Sequence, residues 1–478
     1  MYTHFDILEV AKTHAKATAI KDRMQYIKFI EAGEKFAADH GLIIGGSAAT
    51  RLLLRSEPDI DDFQYNLFSD SIVTHARELG NILYAIDPQG LGHYTTVLTK
   101  IIKYLLTILV DGRELFILTV LTAHRGIKTS DVLIPSECFA QFAKNEDGTP
   151  LKLLCVGPEI QLINIYNSLC NPLNASSWGD LLLTESKLRF IFNQEVKLKI
   201  ETAINRIEGG REGGRQGGPA DIHFYRILRD KYANGPGRVF IGPAAIEILT
   251  GKKVAGSERL QVITAGQLDG DAQEILDLAQ SIGITISWKI DDPKLPLISH
   301  IRRMTIHVIK DEQKEPILDV YNSAAFDLIP YFTAPPTSQI KKQLSTAHVK
   351  RLANRKHTRY VQQDPGPPLS LKIGTPFVLM RYRLIDLWII QILMKMGAIN
   401  INYAKIVLNN IVSGYEIAAS HYESILNNND TEAVAIKLLP MSTYIGRLEN
   451  PELVVKRASK ILQKTKFYPP AYYPAATH

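Results

Sequence analysis

A short apolar run, Leu42–Ile44, stops at Gly45-Gly46-Ser47, and an apolar helical pattern resumes from Ala48 to Leu54. A strand that ends in two glycines and turns at once into a helix leaves few folds open. Glycine has no Cβ, so backbone N–H groups at the helix N-terminus stay open to a phosphate. Asp59-Ile60-Asp61 follows, and then a second β-rich run, Phe63–Ser69. Carboxylates at i and i+2 of a strand share one face. Such a pair can hold metal ions against nucleotide phosphates. The plainer reading of the same residues is a strand-to-helix turn followed by an acidic surface loop.

The order of parts resembles the nucleotidyltransferase superfamily, in which an apolar-Gly-Gly/Ser turn precedes Asp-x-Asp and a third carboxylate sits on a later strand. Two β-rich runs flank Asp111-Gly112 between Lys100 and Leu121, which is a hairpin signal. The position matching the third acid on the second run is Thr119, and Asp111 reads as a turn former.

The pattern then recurs. A helix from Ile222 to Tyr232 leads to Val239-Phe240-Ile241-Gly242-Pro243, and a second helix spans Ala244 to Thr250. Ser257–Thr264 takes the place of Phe63–Ser69. A second hairpin, Met304–Ser323, sets Asp319 against Thr119, and Leu328-Ile329-Pro330 echoes Leu133-Ile134-Pro135. Preserved order at nearly constant offset predicts two duplicated domains with altered loops.

Between these modules the chain reads as helical. Ile20, Met24, Ile27 and Ile30 mark the buried face of a long first helix over residues 8–39. Another helix is expected over 72–86. Residues 151–205 read as helices, broken at Asn171-Pro172, and Glu208–Asp221 is a Gly-rich linker. The tail opens on Ser338–Gln363, which holds seven Lys or Arg and no acid. Within it Lys350, Arg351, Arg355 and Lys356 stand near Tyr360, a composition suited to an RNA backbone or to a solvated loop. From Thr375 the chain is helical again, too apolar for a surface helix, and so belongs to a core.

Bulk properties set limits. A chain of 478 residues has room for two to four domains. A net charge of +6 permits a nucleic-acid partner. Three cysteines without metal-ligand spacing fit a reducing compartment. The N-terminus lacks the apolar core of a signal peptide. No apolar run reaches ~18 residues, so no membrane span is expected.

Five stretches together resemble the poly(A) polymerase family of large nucleocytoplasmic DNA viruses: Ile43–Leu53, Pro158–Leu169 with Ser176–Leu188 after it, Val239–Leu249, Ile317–Phe332 and Gly374–Ile390. The resemblance covers most of the chain from about Gly41 to Tyr473. It implies an α+β architecture of tandem nucleotidyltransferase-like mixed-sheet domains. Residues 1–150 would hold the first helix and first domain, 151–220 a helical connector and linker, 221–337 the second domain, and 338–478 the basic segment and a helical C-terminal region. It implies ATP-dependent 3′ polyadenylation of mRNA, with ATP and Mg2+ or Mn2+ as cofactors and RNA as partner, in the host cytoplasm (the viral factory) and the virion. Gly45, Gly46 and Ser47 would bind nucleotide, and Lys350, Arg351, Arg355 and Lys356 would bind RNA.

The chain departs from the family at the acids. If Leu67-Phe68-Ser69 ends the motif, the acid positions hold Gln64 and Asn66, with Thr119 as the third. In the other register Asp59 and Asp61 are catalytic and metal-binding, with an unidentified third acid. The second module keeps Asp319 but has Arg259 and Gln261. Mg2+ needs several carboxylate oxygens. Two readings follow: a working poly(A) polymerase built on Asp59 and Asp61, or a degenerate RNA-binding or regulatory subunit that dimerises with itself or with an active polymerase subunit. A structural virion protein is a third class without positive support in the residues.

Overall fold

The computed structural model describes residues 4–56, 64–86, 96–102, 105–110, 113–119, 132–170, 174, 177–197, 221–235, 237–291, 301–310, 313–323, 329, 331–333, 371–395, 397, 399 and 401–426. Among these, two compact units form. The first runs to Gln161 and takes in Ser186–Ile191; the second takes Leu162–Glu185 and the described residues from Phe192 to Leu426.

In the first unit, helix α1 (His4–Asp39) leads into β1 (Ile43–Gly45), α2 (Gly46–Leu54), β2 (Tyr65–Phe68) and α3 (Ile72–Ile86). Strands β3 (Thr96–Ile102), β4 (Leu105–Val110), β5 (Arg113–Thr119), β6 (Ser136–Lys144) and β7 (Pro150–Cys155) follow. They make one seven-stranded mixed sheet in the order β3-β4-β5-β2-β1-β7-β6. Phe29, Ile30 and Phe36 of α1 pack with Leu79 and Leu83 of α3 and with Tyr65, Leu67, Phe116 and Leu118 of the sheet. Ile30 is buried and Ile27 half-buried, in line with the expected apolar face; the Ile20 and Met24 side chains lie outside the described set.

One buried carboxylate joins α1 to the sheet edge. Glu34 accepts hydrogen bonds from Tyr65 Oη at 2.8 Å and from the backbone N–H groups of Gln141, Phe142 and Ala143 at 2.9, 2.9 and 2.8 Å. The β6–β7 register shifts between Phe139 and Lys144, so these three N–H groups sit where the ladder is irregular. Glu34 supplies acceptors for them. Cys138 of β6 and Cys155 of β7 are joined in a disulfide, a pairing that the low cysteine count did not announce. Cys170 is a buried free thiol.

Helices α4 (Pro158–Leu169) and α5 (Trp178–Ile191) come next, the latter running into a π-helical turn, Phe192–Lys197. In the second unit, α6 (Ile222–Ile227) is capped by the Asp221 side chain, which accepts from Phe224 N at 2.8 Å. A π-helical turn, Leu228–Tyr232, leads to β8 (Arg238–Ile241), α7 (Gly242–Thr250), β9 (Leu260–Thr264) and α8 (Leu268–Gln280). Then come β10 (Ile286–Asp291), β11 (Ile301–Lys310), β12 (Gln313–Ser323), β13 (Tyr331–Thr333) and β14 (Lys372–Gly374), followed by α9 (Pro376–Lys395) and α10 (Ile401–Leu426).

This second sheet has the order β10-β11-β12-β9-β8-β14-β13. Strand for strand it repeats the first, and each neighbouring pair keeps the parallel or antiparallel sense of its counterpart. Even a β-bulge recurs: Leu115 is the extra residue of β5 opposite Ile108 and Leu109 of β4, and Ile317 that of β12 opposite Ile306 and His307 of β11. The expected α+β fold with tandem mixed sheets is therefore present.

The sheets overrun the boundaries expected from sequence. Residues 150–155 form β7 and complete the first sheet, although the stretch from 151 reads as helix. Strand β14 completes the second sheet well beyond residue 337. The basic run Ser338–Gln363 lies outside the described residues, but β13 and β14 are antiparallel neighbours. In the chain it falls between these two strands, so residues beyond it still belong to the second sheet. Every residue of α9 from Pro376 to Ile390 is buried, as its composition predicts. No helix among the described residues is long and apolar enough to cross a membrane.

Candidate active site

In the first unit the Gly-Gly-Ser turn falls between β1 and α2. Gly46 has φ +68°, and a Cβ there would lie 2.4 Å from Asn66 Nδ2. Only glycine combines that backbone with that clearance. The N-cap of α2 is Gly45, which has no side chain to cap the first N–H groups of the helix. Gly46 and Ser47 are exposed, and Gly45 is buried. The helix N-terminus can accept a phosphate.

Strand register fixes what faces this turn. Gly45 lies opposite Asn66, Asn66 opposite Ile117, and Ile117 opposite Thr107. Asn66 therefore sits directly at the turn, and Gln64 lies two residues earlier, at the spacing that shares a strand face. Gln64 Nε2 donates to Glu114 Oε2 at 3.2 Å. Asn66 Oδ1 is buried without a hydrogen-bond partner among the described residues. Asp59 and Asp61 lie outside the described residues.

Thr119 does not match Asp319 in register. Its strand partner is Phe68, at the far end of β2. In the second unit Asp319 pairs with Gln261, which pairs with Ile241 at the next glycine turn. The residue with the same pairing in the first unit is Ile117. Thr119 lies two residues beyond, buried at 1% exposure, with its carbonyl accepting from Ser69 N at 3.0 Å. Gly242, at φ +78° on the first residue of α7, corresponds to Gly46.

The second turn is closed by its own neighbours. A Cβ on Gly242 would lie 2.2 Å from Gln261 Oε1. Arg259 donates to Asp319, and Thr305 Oγ1 donates to Asp319 at 2.9 Å. Gln261 Nε2 lies 3.2 Å from Asp319 Oδ2 and 3.3 Å from Asp386 Oδ2. Arg383 donates to Gln261 and to Asp386, and Tyr321 Oη donates to Asp386 Oδ1 at 2.6 Å. Burial alone would raise the Asp319 carboxyl, but Arg259 and Arg303, with the hydrogen bonds, hold it below the usual carboxylate range. Burial, Asp386 and Asp319 push the Tyr321 phenol well up. Two guanidinium groups thus neutralise two buried aspartates.

Mg2+ and Mn2+ prefer anionic oxygen. Among the described residues, Gln64, Asn66 and Ile117 do not fit either ion, and the second turn offers a carboxylate already taken by Arg259. Reading the sequence missed Arg383 and Asp386. Their signal was present, since charges inside a helix too apolar for a surface must be paired.

No protein-family model matches the chain. It is 26% identical over 474 residues to an uncharacterized protein of African swine fever virus from a Malawi tick isolate, covering 98% of both chains. It is 26% identical over 476 residues to the counterpart from the Pretoriuskop isolate of South Africa, again covering 98% of both. Among solved structures it is similar to the Megavirus polyadenylate synthase, with a TM-score of 0.50 and 13% identity, over 88% of this chain and 76% of that one. The likeness to that enzyme is one of fold.

Proposed function

We propose that this chain is a catalytically silent relative of viral poly(A) polymerases that serves ATP-dependent 3′ polyadenylation of mRNA as an RNA-binding or regulatory subunit. The observation that carries this reading is the strand register. The metal-ligand positions are Gln64, Asn66 and Ile117 in one module and Arg259, Gln261 and Asp319 in the other. Neither set supplies the carboxylates that two metal ions require. ATP, if held, meets the α2 N-terminus through its phosphates. The fold shared with a polyadenylate synthase supports the family, and the host cytoplasm as its place of action belongs to the same proposal. The partner is an active polymerase subunit or a second copy of this chain.

The basic run between β13 and β14 is the RNA-binding segment in this reading. The test is fluorescence anisotropy with a labelled single-stranded RNA ending in oligo(A), over a range of salt. The wild-type chain binds, and its affinity falls with salt. Replacing Lys350, Arg351, Arg355 and Lys356 by Gln weakens binding and lowers the salt slope by about 0.7 for each phosphate no longer neutralised. An unchanged affinity and slope in that variant removes the segment from the interface, and a wild-type chain that does not bind RNA removes the function.

A further inference from the structure

Three side chains at the far end of β2 from Asn66 converge without any part in the turn described above. His40 follows the last residue of α1. His75 and Glu78 lie one turn apart on α3, so they share a helix face. One ligand atom from each of the three lies within 4.8 Å of the others. The two imidazole rings stand edge to face at 5.0 Å, and Phe36 packs against both, at 4.0 Å from His40 and 5.9 Å from His75.

Each imidazole is held by its Nδ1. His40 Nδ1–H donates to Phe36 O at 3.0 Å. His75 Nδ1 lies 2.7 Å from Ser69 Oγ, and that hydroxyl also accepts from Ser71 N at 3.0 Å. For His40 this leaves the lone pair on Nε2, and His75 presents its Nε2 lone pair in the tautomer whose Nδ1–H donates to Ser69 Oγ, which is how histidine ligands to metal ions are oriented. His40 Nε2 points at Glu78 Oε2, 3.3 Å away, and Glu78 is half exposed.

We propose that His40 Nε2, His75 Nε2 and the Glu78 carboxylate bind a borderline divalent transition ion, best satisfied by Zn2+, with water at the remaining position. Two imidazoles and one carboxylate suit Zn2+, whereas Mg2+ and Ca2+ favour oxygen alone. Bonds of about 2.0–2.2 Å bring the ligand atoms to roughly 3.5 Å from one another, and the exposed Glu78 side chain can swing that last distance. The ion ties the end of α1 to α3, at the opposite end of β1 from the α2 N-terminus. Its role is to clamp the first helix onto the sheet. The alternative for the same three residues is a simple ion pair between protonated His40 and Glu78.

The experiment uses the full chain, stripped of metal with a chelator and dialysed. Zn2+ is titrated by calorimetry, and Co2+ is followed by its visible ligand-field absorption. The wild-type chain binds one ion at this site, shows tetrahedral Co2+ bands and melts at a higher temperature with Zn2+. Glu78→Gln, isosteric and half exposed, retains the fold while the affinity drops. His40→Ala with His75→Ala abolishes both the bands and the thermal shift. Ser69→Ala, which touches no ion, weakens Zn2+ by about tenfold. Absence of Co2+ bands in the wild-type chain overturns the site and leaves the ion pair. Binding unchanged in both Glu78→Gln and the double histidine variant overturns it equally, because the ion then sits elsewhere.

Discussion

Gly46 and Gly242 each open a helix with a left-handed backbone and a Cβ-sized space already claimed by the side chain opposite. The left-handed conformation alone costs a residue with a Cβ about 1–2 kcal/mol. Asn66 can yield to a methyl group more readily than Gln261, which Arg383 and Asp386 hold in place. Gly242→Ala should therefore destabilise the chain more than Gly46→Ala, by more than about 2 kcal/mol in chemical denaturation. Equal, small effects would contradict the paired turns. Asp319 carries a sign that can be measured. Its folded pKa is depressed, so its stabilisation is present above the ordinary carboxylate pKa and is lost as pH falls through the lower folded value. Asp319→Asn leaves Arg259 without its buried partner and should cost about 3 kcal/mol at neutral pH. The gap between variant and wild type should narrow on acidification, read from denaturation midpoints across the acid range. A gap independent of pH would mean that the carboxylate is not the group that matters.

At the scale of elements, Glu34 bridges α1 and an irregular strand by accepting four hydrogen bonds, three of them from backbone donors at a break in the ladder. Glu34→Ala should destabilise by more than about 3 kcal/mol, because hydrogen bonds to a charged group are each worth about 1.5–3 kcal/mol and the stranded donors stay buried. Hydrogen exchange at Gln141, Phe142 and Ala143 should quicken in that variant, and unchanged protection there would show that the strand finds other acceptors. The long, periodic elements were legible in the sequence: α3 and the two glycine turns fall where the pattern places them. Strands β6 and β7 were not, since a short apolar run such as Leu151–Val156 reads equally as buried helix or strand. Thr119 was matched to Asp319 for a related reason. A slip of two residues along a strand leaves every side chain on its own face, so alternation cannot tell Thr119 from Ile117. Only the pairing with Asn66 and Gln261 separates them. Strand β14, three residues long, carries no periodicity at all, which is why the basic run looked like the start of a tail.

For the whole molecule, duplication explains more than either module does alone. Two sheets with one strand order and one shared bulge repeat one architectural unit, and in the proposed reading setting the copies side by side exposes where each lacks a metal-binding triad. The first carries an amide pair and an isoleucine at the acid positions; the second keeps Asp319 and fills the space with Arg259 and Arg383. Repeat order was visible in the sequence, but the buried arginine–aspartate lattice spans three elements distant in the chain and needs the fold to assemble it. The central claim, that this duplicated nucleotidyltransferase-like chain does not itself add adenylates, is tested most directly by primer extension. The purified chain is incubated with an RNA primer, ATP and either Mg2+ or Mn2+, and the products are resolved by length. The expected result is an unextended primer under both metals. Robust extension by the wild-type chain, abolished by Asp59→Ala or Asp61→Ala, would contradict the claim and place the active site on those two acids.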